Sequence, residues 1–254
     1  ETIITADGTT LLGADDKAGV TAVMTAAAYL AANREEPRCN VEIIFTPDEE
    51  TGKGMNRFPK ESLKSSVCYT VDGGDEGSIE AECFTAYGAH IEFEGVVIHP
   101  GQARGRLVNA ISMAERFLTM IPGGERPEST DGRYGFFYPM SIQGSVGRAE
   151  VEMLLRDFET EGMERRLALI EEAARVVERS FPTGRVTVTT RKQYVNMRQS
   201  ISSRPESVGL LAQAIRETGI APVFHAIRGG TDGARLSEMG IPTPNLFSGA
   251  QNMH

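Results

Sequence analysis

Cysteine is scarce in this chain, and the few cysteines lie far apart. The 254 residues include only Cys39, Cys68 and Cys83. Three scattered cysteines cannot build a disulfide framework, and they do not form a paired CxxC zinc site. A reducing cytoplasm is therefore the expected location.

Long apolar runs and basic clusters are missing as well. The most apolar stretch, residues 20–32, is interrupted by Thr21 and Thr25, and a membrane span needs roughly 18 apolar residues. The first residues also lack the basic-then-apolar form of a signal peptide. Acidic residues outnumber basic ones by 35 to 26, which gives a formal net charge of −9. We therefore expect neither a membrane nor a nucleic-acid partner.

The first third of the chain has the pattern of an α/β domain. Apolar residues recur at helical spacing over 18–33, which predicts a helix. Val41–Phe45 and Val67–Val71 are short apolar runs of the kind found in buried parallel strands. The same type of pattern returns from Ser207, so the α/β domain is expected to resume there.

The middle of the chain has a different pattern. Ile91–Glu94 alternates apolar and polar residues, which predicts a strand with one solvated face. The order of elements that follows is β-α-β-β-α-β, the ferredoxin-like arrangement. The predicted domains are therefore 1–83 with 197–254, and an inserted α+β domain over 84–196.

Three acidic segments, 13–19, 46–52 and 72–74, each follow an apolar run. In an open parallel sheet, ligands bind beyond the carboxyl ends of the strands, so these segments should converge. Any one of them alone is more simply explained as a helix cap or a turn. Three in series favour a divalent metal, because unneutralised carboxylates would repel one another.

Several segments resemble those of the M20 metallopeptidases, and in particular the peptidase T group of tripeptide aminopeptidases. The matching segments are GADDKAG (13–19), FTPDEETGKG (45–54), YTVDGG (69–74), IHPGQARGRLVNA (98–110) and IRGGTDGARLSEMGIPTPNLFSG (227–249). The resemblance is collinear over essentially the whole chain. It implies a zinc-peptidase (phosphorylase/hydrolase-like) catalytic domain with an inserted ferredoxin-like lid domain.

The resemblance also assigns roles to individual residues. It implies a cis peptide bond between Asp15 and Asp16 and two zinc ions per subunit. The implied site residues are Asp15 as the carboxylate bridging both zinc ions, Glu50 and Asp72 as ligands of one zinc each, Glu49 as general base, His99 as the lid histidine that stabilises the oxyanion, and Asn109, Arg156 and Arg228 as substrate-binding residues.

Each of these residues also has a simpler interpretation. Without the motif, Glu49 would be a solvated turn residue and His99 a structural histidine near a strand end. Asn109 would be a helix-face asparagine, and Arg156 a surface residue of a strand. Arginine at position 156 or 228 does suit a peptide carboxylate, because its planar fork makes two parallel hydrogen bonds.

Two ligand segments of the family do not occur in this sequence. The family has a His-x-Asp motif upstream and a zinc-binding histidine shortly after the position of His254, so the chain is expected to be truncated at both ends. Zinc normally takes at least three protein ligands, and we expect the chain alone to bind zinc poorly and hydrolyse little. Two alternatives stay open: another M20 activity, such as dipeptidase or aminoacylase, or a non-catalytic peptide-binding remnant. The expected partners are a small peptide and, through the lid domain, a second copy of the chain.

Overall fold

The computed structural model of the protein describes residues 3–251, and its chain divides into two compact units. Unit 1 combines Glu1–Cys83 with Asn196–His254, and unit 2 is Phe84–Val195. His254, beside which the family's zinc histidine was expected, lies outside the described residues. Among residues 3–251, the helices fall short of the length and apolarity that crossing a bilayer requires.

Unit 1 is an α/β unit with a four-stranded mixed sheet. Its elements are α1 (Ala14–Ala32), β1 (Thr70–Gly73), β2 (Ser78–Cys83), α4 (Arg198–Ser202), α5 (Pro205–Glu217), β7 (Val223–Ile227), α6 (Asp232–Glu238) and β8 (Asn245–Phe247). The strand order is β1-β8-β2-β7, in which β1 runs parallel to β8 and β2 runs parallel to β7. Ile79 of β2 packs against Ala212 and Ile215 of α5, which covers part of the sheet.

The predicted helix over 18–33 is confirmed by α1, but the strand predicted at Val41–Phe45 is wrong. Residues 41–45 form neither helix nor strand, and all five are exposed. A strand exists only when a neighbour takes up its backbone hydrogen bonds, and the four described strands of unit 1 do not pair with this segment. The run at 67–71 is a strand only from Thr70, so its prediction began three residues too early.

Unit 2 has the predicted β-α-β-β-α-β order. Its elements are β3 (Thr85–Glu94), α2 (Ala110–Met120), β4 (Phe136–Gly144), β5 (Arg148–Asp157), α3 (Thr160–Ser180) and β6 (Arg185–Tyr194). The sheet is antiparallel, in the order β4-β5-β3-β6. Ile91 and Phe93 point inward and join a core with Phe117 of α2 and Ile170 of α3. The alternation seen in the sequence therefore marks the buried face of β3.

Candidate metal centre

Three aspartates of unit 1 form a compact carboxylate cluster. Asp15, Asp16 and Asp72 each offer one oxygen, and these oxygens lie within 4.8 Å of one another. Asp15 and Asp16 lie in the first turn of α1, which begins at Ala14, and the peptide bond between them is cis, as the resemblance implied. Asp72 is the last residue but one of the short strand β1. We call these three residues the aspartate cluster.

Gly19 allows α1 to approach β1 closely enough to form the aspartate cluster. A Cβ atom added at Gly19 would lie 2.1 Å from the carbonyl oxygen of Val71 and 2.4 Å from Oδ1 of Asp16. Both distances are far below van der Waals contact, so no other residue fits here without a shift of the backbone. The Gly19 N–H also donates a 3.0 Å hydrogen bond to Oδ1 of Asp16, which orients that carboxylate.

Asn245, on the neighbouring strand β8, holds the backbone of Asp72. The Asp72 N–H donates to Oδ1 of Asn245 at 3.2 Å, and Nδ2 of Asn245 donates to Oε2 of Glu80 at 2.6 Å. Asn245 is fully buried in β8, between β1 and β2. Its amide therefore links two strands across the sheet and fixes the end of β1 that carries Asp72.

The aspartate cluster cannot remain fully ionised by itself. Two unit charges about 4.8 Å apart repel by roughly 3–4 kcal/mol at an effective dielectric constant of about 20. Three such pairs amount to roughly 10 kcal/mol, which is comparable to the whole stability of a domain. Burial raises the pKa of Asp16 to about 6, and burial together with nearby negative charge raises the pKa of Asp72 above its usual range.

A bound cation would relieve the repulsion within the aspartate cluster. The carboxyl groups of Asp15 and Asp72 lie close together, and their interaction adds to the effect of burial in raising the pKa of Asp72. A divalent cation held by these oxygens would neutralise the cluster and favour the ionised form of every carboxylate. The donors are hard oxygen atoms, and among residues 3–251 no histidine or cysteine joins them. The cluster therefore fits a divalent cation.

Glu49 and Glu50 lie in a single 3-10 turn, Glu49–Thr51, but in different environments. Glu50 is exposed and does not belong to the aspartate cluster. Glu49 is half-buried, and burial raises its pKa to about 7, with further contributions from the negative charges of Asp232 and Glu50. A carboxyl group with a pKa near 7 can both accept and release a proton at neutral pH.

The remaining predicted site residues occupy defined positions in the two units. In unit 2, His99 is exposed and its Nδ1 accepts a 3.2 Å hydrogen bond from the Gly101 N–H. Asn109 caps α2 by accepting from the Ile111 N–H at 2.9 Å. Arg156 lies on β5 with its guanidinium 5.0 Å from the ring centre of Tyr194. In unit 1, Arg228 directly follows β7.

The sequence analysis missed three residues around this site. Asp16 was noted only for its peptide bond, although two adjacent aspartates in one motif are a sign of shared ligation. Asn245 and Asp232 lie in the segment 227–249, where only Arg228 was assigned. A buried asparagine at the start of a short strand carries no local signal, because its importance depends on strands that are distant in sequence.

The fold and the aspartate cluster define a candidate metal-binding α/β protein. The chain belongs to Peptidase family M20/M25/M40, whose model matches residues 8–254. It is 45% identical over all 254 residues to peptidase T of Clostridium perfringens, of which it covers 63%. The chain thus spans less than two thirds of the length of this curated relative.

Solved structures extend the similarity to the fold. Aminopeptidase PepT of Bacillus cereus superposes with a TM-score of 0.84 at 25% identity, over 100% of this chain and 69% of that one. A tripeptidase of Staphylococcus aureus superposes with a TM-score of 0.86 at 22% identity, over 98% of this chain and 66% of that one. The α/β fold expected from the sequence is therefore that of M20 peptidases.

Proposed function

We propose that the polypeptide carrying this chain is a two-zinc aminopeptidase that removes the N-terminal residue from tripeptides. The observation that carries this proposal is the aspartate cluster with the half-buried Glu49 in the same unit. The 45% identity to a peptidase T over the full chain supports the substrate class. The proposal that residues 84–196 form a lid domain rests on the same resemblance.

The proposed location is the cytoplasm, which the free thiols of Cys39, Cys68 and Cys83 favour.

In the proposed site, Asp15 would contribute to holding both cations, Asp72 would hold one of them and Glu50 would hold the other. Divalent cations bound in this way would acidify a water molecule and polarise the scissile carbonyl. Asp15 and Asp72 already meet in the aspartate cluster, whereas Glu50 would have to turn inward from its exposed position. The remaining ligands are expected outside residues 3–251.

Glu49 is the proposed general base and acid. Its carboxylate would take a proton from the attacking water and deliver that proton to the departing amine. His99, Asn109, Arg156 and Arg228 are proposed to contact the oxyanion and the substrate, as the resemblance implies.

Glu49→Gln tests the proposal in the longest natural polypeptide that contains this sequence. The amide keeps the size of the side chain but cannot accept a proton, so kcat should fall by about 10²–10⁴-fold while zinc content is unchanged. Glu61→Gln, at an exposed glutamate of another 3-10 turn, is the matched control. Full turnover by the Glu49→Gln variant would end the assignment.

The substrate class needs a separate assay. An aminopeptidase recognises a free N-terminus, so N-acetylation of a tripeptide should abolish its hydrolysis. An aminoacylase should accept the acetylated compound, and a dipeptidase should favour peptides one residue shorter. A binding remnant should bind the tripeptide equally well with and without a chelator and hydrolyse none of these compounds.

A further inference from the structure

The two glutamates are carried by a surface loop that has little packing of its own. We call residues 46–54 the glutamate loop. Its turn is shaped internally by hydrogen bonds from the Thr51 and Lys53 N–H groups to the carbonyl oxygen of Asp48, at 3.3 and 3.1 Å. Asp48 and Gly52 adopt left-handed backbone angles, which tighten the turn. These local contacts define the shape of the loop but do not attach it to the rest of unit 1.

A single carboxylate contacts both ends of the glutamate loop. At one end, Oγ1 of Thr46 donates a 2.6 Å hydrogen bond to Oδ2 of Asp232. At the other end, a Cβ atom added to Gly54 would lie 2.3 Å from the same Oδ2. The Asp232 carboxylate therefore lies directly against the Gly54 backbone, at a distance that only glycine tolerates.

Asp232 is itself rigidly held. It is 8% exposed and is the first residue of α6, whose N-terminus is capped by the Thr231 hydroxyl accepting from the Gly233 N–H at 3.1 Å. A Cβ atom at Gly233 would lie 2.9 Å from the carbonyl oxygen of Thr243 and from Oγ1 of Thr70. Because α6 fits this closely against its surroundings, Asp232 is a fixed contact point for the glutamate loop.

We propose that Asp232 is a positioning residue. Its carboxylate accepts a hydrogen bond from Thr46 and packs against the Gly54 backbone, and these two contacts fix the positions of Glu49 and Glu50 in unit 1. The inference rests on the proposed function of these glutamates. Asp232 lies 186 positions from Thr46 in the sequence, so the segment 227–249 contributes to the site through this contact as well as through Arg228. Anchoring both ends restricts the turn between them, and a misplacement of about 1 Å can cost about 10²-fold in rate.

The test removes the Thr46 hydroxyl in the longest natural polypeptide containing the sequence. Thr46→Val keeps the shape of the side chain and should lower kcat about 10- to 100-fold with KM changed less than about twofold. Thr46→Ser keeps the hydroxyl and should restore kcat. Thr25→Val is the matched control, because the Thr25 hydroxyl also donates a hydrogen bond, to the carbonyl oxygen of Thr21, but in an exposed helix.

Hydrogen exchange supplies a readout that does not depend on catalysis. In Thr46→Val, the backbone amides of Thr51 and Lys53 should exchange at least about tenfold faster, while amides of α5 stay unchanged. Gly54→Ala should have the same effect, because its methyl group displaces the Asp232 carboxylate. Thr46→Ser should exchange like the wild type.

The outcomes separate the positioning role from the proposed function. Unchanged exchange and unchanged kcat in both Thr46→Val and Gly54→Ala would overturn the role of Asp232. A lower melting temperature with normal kcat and normal loop exchange would reduce the contact to a structural one, which also contradicts the inference. Faster loop exchange in Thr46→Val, with full activity of Glu49→Gln, would leave the anchor in place and refute the function of Glu49.

Discussion

Arg166 shows how a single buried charge is accommodated in unit 2. Its side chain is 3% exposed and forms ion pairs with Asp157 at 3.0 Å and with Glu125 at 2.6 Å. The guanidinium also lies 4.8 Å from the ring centre of Phe137. Because Asp157 is almost as deeply buried, the two charges depend on each other for their neutralisation.

Arg166→Met should lower the free energy of unfolding by about 3–5 kcal/mol, because it leaves the Asp157 carboxylate buried without its partner. Arg175→Met is the matched control: Arg175 forms an exposed pair with Glu172 one turn away, and its loss should cost less than about 1 kcal/mol. Urea denaturation followed by circular dichroism measures both. Equal, small losses would mean that water reaches the Arg166 pair.

Glu125 should make the stability depend on pH in the acidic range. Hydrogen bonds from Arg165 and Arg166, and the charges of both arginines, lower the pKa of Glu125 below its usual value of 4.5. The contribution of the Glu125 carboxylate to the free energy of unfolding is therefore fully present above about pH 4.5. It is lost as the pH falls through the pKa that Glu125 has in the folded protein. The difference in unfolding free energy between the wild type and Glu125→Gln should shrink over that interval. A difference that stays constant down to about pH 3 would contradict the pKa shift.

At the scale of elements, the contact between α1 and β1 decides whether the aspartate cluster forms. Gly19→Ala places a methyl group against the Val71 carbonyl oxygen and should destabilise unit 1 by about 1–3 kcal/mol. It should also weaken divalent-cation binding about 10- to 100-fold, because the aspartates move apart. The change in cation affinity is measured by calorimetric titration with Mn²⁺ and with Zn²⁺, using the metal-free form of the longest natural polypeptide that contains this sequence.

Gly209→Ala is the control for that substitution. Gly209 lies within α5, where an added Cβ has no neighbour within 4 Å. Alanine there should stabilise the protein by about 0.5–1 kcal/mol through helix propensity, and cation binding should not change. If both glycine variants affected cation binding alike, the close approach of α1 to β1 would not be the cause.

For the whole molecule, the main feature is apolar surface on unit 1. Large apolar side chains such as Leu11, Val41, Ile44 and Phe45 are between 39% and 74% exposed. Large exposed apolar patches are typical of surfaces that contact another segment or partner. The 254-residue chain by itself should therefore bind a hydrophobic dye more strongly than the longest natural polypeptide that contains it.

Two phenylalanines provide the matched pair for this prediction. Phe45→Ala should reduce dye binding by the isolated chain and change the unfolding free energy by less than about 0.5 kcal/mol. Phe93→Ala, at a fully buried position of unit 2, should cost about 3–5 kcal/mol. A large loss of stability in Phe45→Ala would show that residue 45 is packed in solution.

The sequence by itself determined the elements whose signals are local. Helical periodicity located α1, alternation located the buried face of β3, and turn residues separated the elements of unit 2 in their correct order. The acidic motifs likewise predicted metal-binding carboxylates from local sequence, because Asp15 and Asp72 lie in short, distinctive segments. The buried strand predicted at 41–45 is wrong, because an apolar run forms a buried strand only where a partner strand pairs with it, and these residues are exposed.

Only the tertiary structure decided how the site is assembled. Asp16 enters the aspartate cluster because Gly19 lets a helix approach a strand, and no periodicity reports such an approach. Asn245 and Asp232 act across 165 and 186 positions, on Glu80 and Thr46 respectively. Hydrogen bonds between residues so far apart depend on how the sheet and α6 pack, and packing is a property of the folded chain as a whole.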